Sequence, residues 1–193
     1  MARAGCSPNG VSVLGVFVAA AGACAMFARW WWVAAVCVQL RLLCNMLDGM
    51  IAVEHGKGDK LGAFFNEVPD RVADVMLLLA AGFAVGETSD GQGLDFWGPT
   101  LGWAAALLAV GTAYLRQAGG AMGLEQDFCG PLAKPQRMFV LTVALLAAGA
   151  VELVGGEVDA SGVVRGGLWI IVVGTAVTLA RRTERLMEAL RRR

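Results

Sequence analysis

Apolar residues fall into six long runs along this chain, covering about 11–28, 31–53, 62–85, 99–115, 138–154 and 167–180. Most of these runs approach the ~20 residues a helix needs to cross a hydrocarbon core. The last is short, so its boundaries are expected to shift or to take in Arg165. Short connections separate them at 54–61, 86–98 and 155–166, with a longer polar one at 117–137. The pattern predicts an all-α, polytopic membrane protein with six transmembrane helices, built as a single domain over 1–193. A basic tail, 181–193, is expected to form a short amphipathic helix on the membrane surface.

Two runs break the rule. The second carries Gln39, Arg41, Asn45 and Asp48, and the third opens with Asn66, Glu67, Asp70, Arg71 and Asp74. Ionisable groups inside a span are costly and face a bundle interior or a water-filled cavity. On helices, the spacings 45/48 and 66/70 place each pair on one face. Two such helices, joined by a connection with two glycines, could aim all four side chains at one point.

Composition strengthens this picture. Hydrophobic residues make up 57% of the 193 positions and charged ones 17%, against nearer ~25% charged in soluble domains. The 26 glycines suit helices packed closely in lipid. Five cysteines without CxxC spacing form neither a zinc nor a disulfide pattern. The first run lacks a basic lead-in and a small-residue cleavage site, so it is expected to remain as a span.

Net charge is zero, but its distribution is lopsided. Arg3, Lys57, Lys60, Arg71, Arg116, Lys134, Arg137 and the arginines of the tail fall on one side of a six-span map. Only Arg29 and Arg165 fall clearly on the other. By the positive-inside rule, both termini and the polar constellation are cytoplasmic. The expected location is an integral membrane protein, of a bacterial inner membrane. Cytoplasmic basic residues beside spans also contact anionic membrane lipids. The tail adjoins a span and is short, so no nucleic-acid partner is expected.

The constellation resembles the signature of the membrane CDP-alcohol phosphotransferases, Asp-x2-Asp-Gly-x2-Ala-Arg followed by Gly-x3-Asp-x3-Asp. This chain reads Asn45-x2-Asp48-Gly49-x2-Ala52-Val53, eight residues, then Gly62-x3-Asn66-x3-Asp70. Matches stand at Asp48, Gly49, Ala52, Gly62 and Asp70; departures stand at Asn45, Val53 and Asn66. A second echo, Tyr114-Leu115-Arg116 with Lys134 and Arg137 downstream, is similar to a segment of the phosphatidylinositol-phosphate synthases of that family.

The resemblance implies a transferase of phospholipid biosynthesis. It would move a phosphatidyl group from a CDP-linked lipid such as CDP-diacylglycerol to a hydroxyl acceptor and release CMP. Asp70 would be the catalytic base. Asp48, Asn45, Asn66 and Asp70, with Asp74 one turn further on, would form the metal set for Mg²⁺ or Mn²⁺. Hard cations prefer such oxygen ligands. Gly49, Ala52 and Gly62 would shape the nucleotide pocket, and Arg116, Lys134 and Arg137 would receive an anionic, phosphorylated acceptor. A homodimer is expected from the same resemblance. Arg41 either replaces the charge missing at Val53 or pairs with an acidic neighbour. Two other classes stay open: a non-catalytic relative that binds lipid or a partner enzyme, and a small transporter with Arg41, Asp48 and Asp70 as a relay. Clustering of the polar groups at one end argues against the transporter.

Overall fold

The computed structural model describes residues 8–54, 60–86, 96–155 and 159–192, without the side chains at 8, 9, 48–54, 60–63, 65 and 66. Six helices follow in order: α1 (Pro8–Phe27), α2 (Trp31–Glu54), α3 (Lys60–Ala84), α4 (Trp97–Ala121), α5 (Lys134–Val154) and α6 (Ala160–Arg191). They pack as a closed ring in the spatial order α1, α2, α5, α6, α4, α3. The all-α expectation holds, and each of the six apolar runs became a helix.

Among the described residues, four helices, α1, α4, α5 and α6, are long and apolar enough to cross a membrane. In α2 the described stretch Trp31–Leu47 is apolar overall although it carries Gln39, Arg41 and Asn45. The opening turns of α3 carry Glu67, Asp70, Arg71 and Asp74.

Small residues hold the ring together. Much of the buried apolar surface is alanine, including Ala19, Ala34, Ala35, Ala81, Ala105, Ala109 and Ala148. Large apolar residues such as Phe17, Leu107, Phe139 and Ile170 stay on the outside. Helices in lipid gain little from hydrophobic sequestration and associate through close backbone approach. The tightest approach joins α3 to α4, where Gly82 lies against Gly98 and Gly102. A Cβ on Gly82 would stand 2.6 Å from the Gly102 Cα and from the Gly98 carbonyl oxygen.

Four helix boundaries differ from the sequence expectation. Helix α6 starts at Ala160 because the Asp159 carboxylate caps it, accepting from the Ser161 N–H at 3.0 Å and the Gly162 N–H at 3.1 Å. This is the usual arrangement for satisfying the first free amides of a helix. At its other end α6 runs unbroken to Arg191, so the basic segment continues the sixth helix and does not form a separate surface helix. The long connection is also shorter than expected, since α4 persists to Ala121 and α5 begins at Lys134.

Candidate functional site

One end of the ring gathers nearly all of its buried charge. Helix α2 brings Arg41 and Asn45 one turn apart, and α3 brings Glu67, Asp70, Arg71 and Asp74 on successive turns. Helix α4 adds Thr112 and Arg116, α5 adds Lys134 and Arg137, and α6 adds Arg182. Pro69 stands inside α3, directly before Asp70, and removes one backbone donor there.

The deep tier centres on two carboxylates. The Arg41 Nη2 donates to Asp70 Oδ1 at 2.7 Å and to the Asp70 carbonyl at 2.9 Å. It also lies 3.1 Å from Asp74 Oδ1. The Lys134 ammonium pairs with Asp70 Oδ2, and Arg137 Nη2 stands 3.8 Å from Asp74 Oδ2. Oriented so that each amide atom meets a complementary partner, the Asn45 nitrogen donates to Asp70 Oδ1 at 2.6 Å and Oδ2 at 3.1 Å. Its oxygen then accepts from Lys134 Nζ at 2.8 Å. The side chains of Arg41, Asp74 and Arg137 are each only 2% exposed. Among the described side chains, three cations against two carboxylates leave this tier with one formal positive charge.

A shallower tier lies beside it. Arg116 pairs with Glu67, which also accepts from Arg71 at 2.9 Å, and its guanidinium stacks 5.1 Å from the centre of the Phe128 ring. Arg182 donates to the Thr112 carbonyl at 3.0 Å and the Cys129 carbonyl at 2.9 Å. The connection is thereby tied to α4 and α6. A cavity of about 440 Å³ opens here, lined among others by Arg116, Gln126, Asp127, Arg182 and Arg185. That volume is within the range of small-molecule sites.

Buried donors remain unused. Among the described residues, Arg41 Nη1, Arg116 Nε and Arg137 Nε are buried with no hydrogen-bond partner. Both Asp74 oxygens are buried without a hydrogen bond as well; buried polar groups are ordinarily satisfied, so the three spare guanidinium donors suit an anion and the Asp74 oxygens a cation.

The sequence-derived site is brought together in part. Asn45, Asp70, Asp74, Lys134 and Arg137 meet in the deep tier, and Arg116 stands in the tier beside it. The expected roles of Asp48 and Asn66 as metal ligands, and of Gly49, Ala52 and Gly62 as pocket walls, fall outside the described residues. Of the expected metal set Asp48, Asn45, Asn66, Asp70 and Asp74, only the side chains of Asn45, Asp70 and Asp74 are described. Both Asp70 oxygens are engaged by Arg41, Asn45 and Lys134, and Asp74 lies between two guanidinium groups. Among the described residues no group of three or more His, Cys, Asp or Glu could hold a metal ion. Asp70 thus meets donors from α2 and α5, whereas both Asp74 oxygens are buried without a hydrogen bond. Of the two sequence readings of Arg41, pairing with an acidic neighbour is the one observed.

Arg182 lies in the basic tail of the sequence, where charge alone does not distinguish it from its neighbours. Its signal is the polar stripe Thr175, Thr178 and Arg182, all buried, spaced by three and four residues on one face of an otherwise apolar helix.

Fold and site together define an integral membrane helix bundle with a buried, cation-rich polar centre at one end. The chain belongs to the CDP-alcohol phosphatidyltransferase family, whose profile matches residues 6–181. The family's relatives are transferase enzymes of phospholipid biosynthesis. The chain is 30% identical over 191 residues to the phosphatidylinositol phosphate synthase of Mycolicibacterium smegmatis, covering 93% of this chain and 77% of the relative. It is also 30% identical over 183 residues to that of Streptomyces avermitilis, covering 93% and 72%. Among solved structures it is similar to the Mycobacterium tuberculosis phosphatidylinositol phosphate synthase in complex with manganese and citrate. That match has a TM-score of 0.77 and 22% identity, and covers 96% of this chain and 84% of the other. The same enzyme with CDP-DAG bound matches with a TM-score of 0.77 at 22% identity over 95% and 88%.

Proposed function

We propose that this chain, a single domain over 1–193, transfers a phosphatidyl group from CDP-diacylglycerol to the hydroxyl of a phosphorylated alcohol and releases CMP. An inositol phosphate is the first acceptor to try, by likeness to the named relatives. All six helices span a bacterial inner membrane, with both termini and the site at the cytoplasmic end. The concentration of Lys and Arg at that end supports this orientation. Pairing into a homodimer is carried over from the family resemblance.

The observation that carries the reading is the convergence of Lys134 and Arg137 on the carboxylates of α3, with Arg116 and Arg182 beside the adjoining cavity. A guanidinium favours a phosphate geometrically as well as electrostatically. An acceptor phosphate in the cavity would draw Arg116 from Glu67 and Lys134 from Asp70. Release of Lys134 frees Asp70 Oδ2. The carboxylate then takes the proton of the acceptor hydroxyl as its oxygen bonds to the phosphatidyl phosphorus. The bond from that phosphorus to the CMP oxygen breaks, and CMP leaves with the electron pair. Asp48, with the Asn66 amide oxygen, is assigned Mg²⁺ or Mn²⁺, which when bound offsets charge on the donor diphosphate. CMP release from CDP-diacylglycerol across a panel of phosphorylated and unphosphorylated alcohols tests the reading.

A second reading is a non-catalytic relative that binds lipid or a partner membrane enzyme. It is favoured by the saturation of both Asp70 oxygens and by neutral residues at 45, 53 and 66. Restoring Asn45→Asp, Val53→Arg and Asn66→Asp together separates the two: activity that appears only in the restored protein supports this second reading.

A further inference from the structure

We infer that Arg41 is a built-in cation that takes, against Asp70 and Asp74, the place a divalent ion would hold, so that the chain binds one metal ion and not a pair. The inference rests on the transferase reading for its metal, but its argument is local. A fully buried arginine inside a span is costly, and this one is spent on both carboxylates at once. Its Nη2 reaches Asp70 Oδ1, the Asp70 carbonyl and Asp74 Oδ1 within 2.7–3.1 Å.

Asn45 is the matching half of the exchange. Two carboxylates facing each other at hydrogen-bond distance cannot both stay ionised without a cation between them. Position 45 instead carries an amide whose nitrogen donates to both Asp70 oxygens at 2.6 and 3.1 Å. The gap is closed by an N–H, where an aspartate would have required an ion. With Lys134 and Arg137 also present, the described side chains of the cluster carry one formal positive charge. A divalent ion placed there would meet three cations and displace every partner of Asp70. Arginine at 41 and asparagine at 45, one turn apart on α2, thus fill the space at Asp70 with donors and leave Asp74 neutralised by guanidinium charge at 3.1 and 3.8 Å.

The test is Mn²⁺ binding to the full chain in nanodiscs, followed by electron paramagnetic resonance and calorimetry. The expected result is one Mn²⁺ per chain, unchanged in Asp70→Asn and in Arg41→Lys. The double variant Arg41→Gln/Asn45→Asp is expected to gain a second site. Two ions in the unaltered protein, none at all, or loss of binding in Asp70→Asn would each overturn the inference, as would a double variant that folds and still binds one. If the double variant fails to fold, the Asp70→Asn and Arg41→Lys titrations still decide. Since the readout is a metal count, it is independent of whether CMP is released. A count of one with no CMP release sinks the transferase reading and leaves Arg41 in its role.

Discussion

Arg41 and Asp70 are joined twice, the same Nη2 donating to the carboxylate at 2.7 Å and to the main-chain carbonyl at 2.9 Å. One guanidinium therefore fixes both the side chain and the backbone of the residue on which the proposed chemistry turns. Removing it in Arg41→Ala leaves Asp74 buried opposite Arg137 alone, and breaking a buried pair from one side costs about 3–5 kcal/mol. The expected outcome is a large drop in the thermal midpoint of the detergent-solubilised protein, with Arg41→Lys falling much less. Equal midpoints for the alanine variant and the unaltered protein would mean that the pair does not support the fold.

Acceptor recognition should separate from donor recognition. Arg116→Ala and Arg182→Ala are each expected to raise KM for a phosphorylated acceptor by roughly 10- to 100-fold, the worth of one or two charge-assisted contacts. KM for CDP-diacylglycerol should stay within about twofold by the same reasoning. Steady-state kinetics with each substrate varied in turn checks this. A uniform rise for both substrates would place these arginines in a structural role.

The glycine contact between α3 and α4 makes a stability prediction with no chemistry in it. Gly82→Ala puts a methyl group 2.6 Å from the Gly102 Cα, a backbone atom that cannot rotate away. Overpacking of this kind costs about 1–3 kcal/mol. Gly111→Ala, whose added atom would meet only the end of Leu179 at 3.4 Å, is expected to be close to neutral. A thermal-shift comparison of the two variants decides, and equal losses would contradict the close-packing account.

Much of this was readable from the chain, for identifiable reasons. Long apolar runs announce helices by length and hydropathy, so all six helices are legible in the chain, and the register from Asn45 to Asp70 points to α2 and α3. Helix ends were less legible, because the Asp159 cap and the continuation of α6 to Arg191 depend on local hydrogen bonds that hydropathy does not carry. The partners of Asp70 were also hidden. Spacing puts Asn45 and Asp70 in reach of one metal, but the direction of the Asn45 amide and the arrival of Lys134 from α5 depend on the ring order. Arg182 was lost in a run of arginines that composition alone reads as a solvated tail.

The transferase reading is tested most directly by CMP release from CDP-diacylglycerol, with Mg²⁺ or Mn²⁺ present, in the purified protein and in Asp70→Asn. Release is expected with a phosphorylated alcohol as acceptor and to fall at least about 100-fold in Asp70→Asn, the scale of a lost general base. It is also expected to stop with chelator. CMP release that persists undiminished in Asp70→Asn, or that no acceptor elicits, would contradict the account.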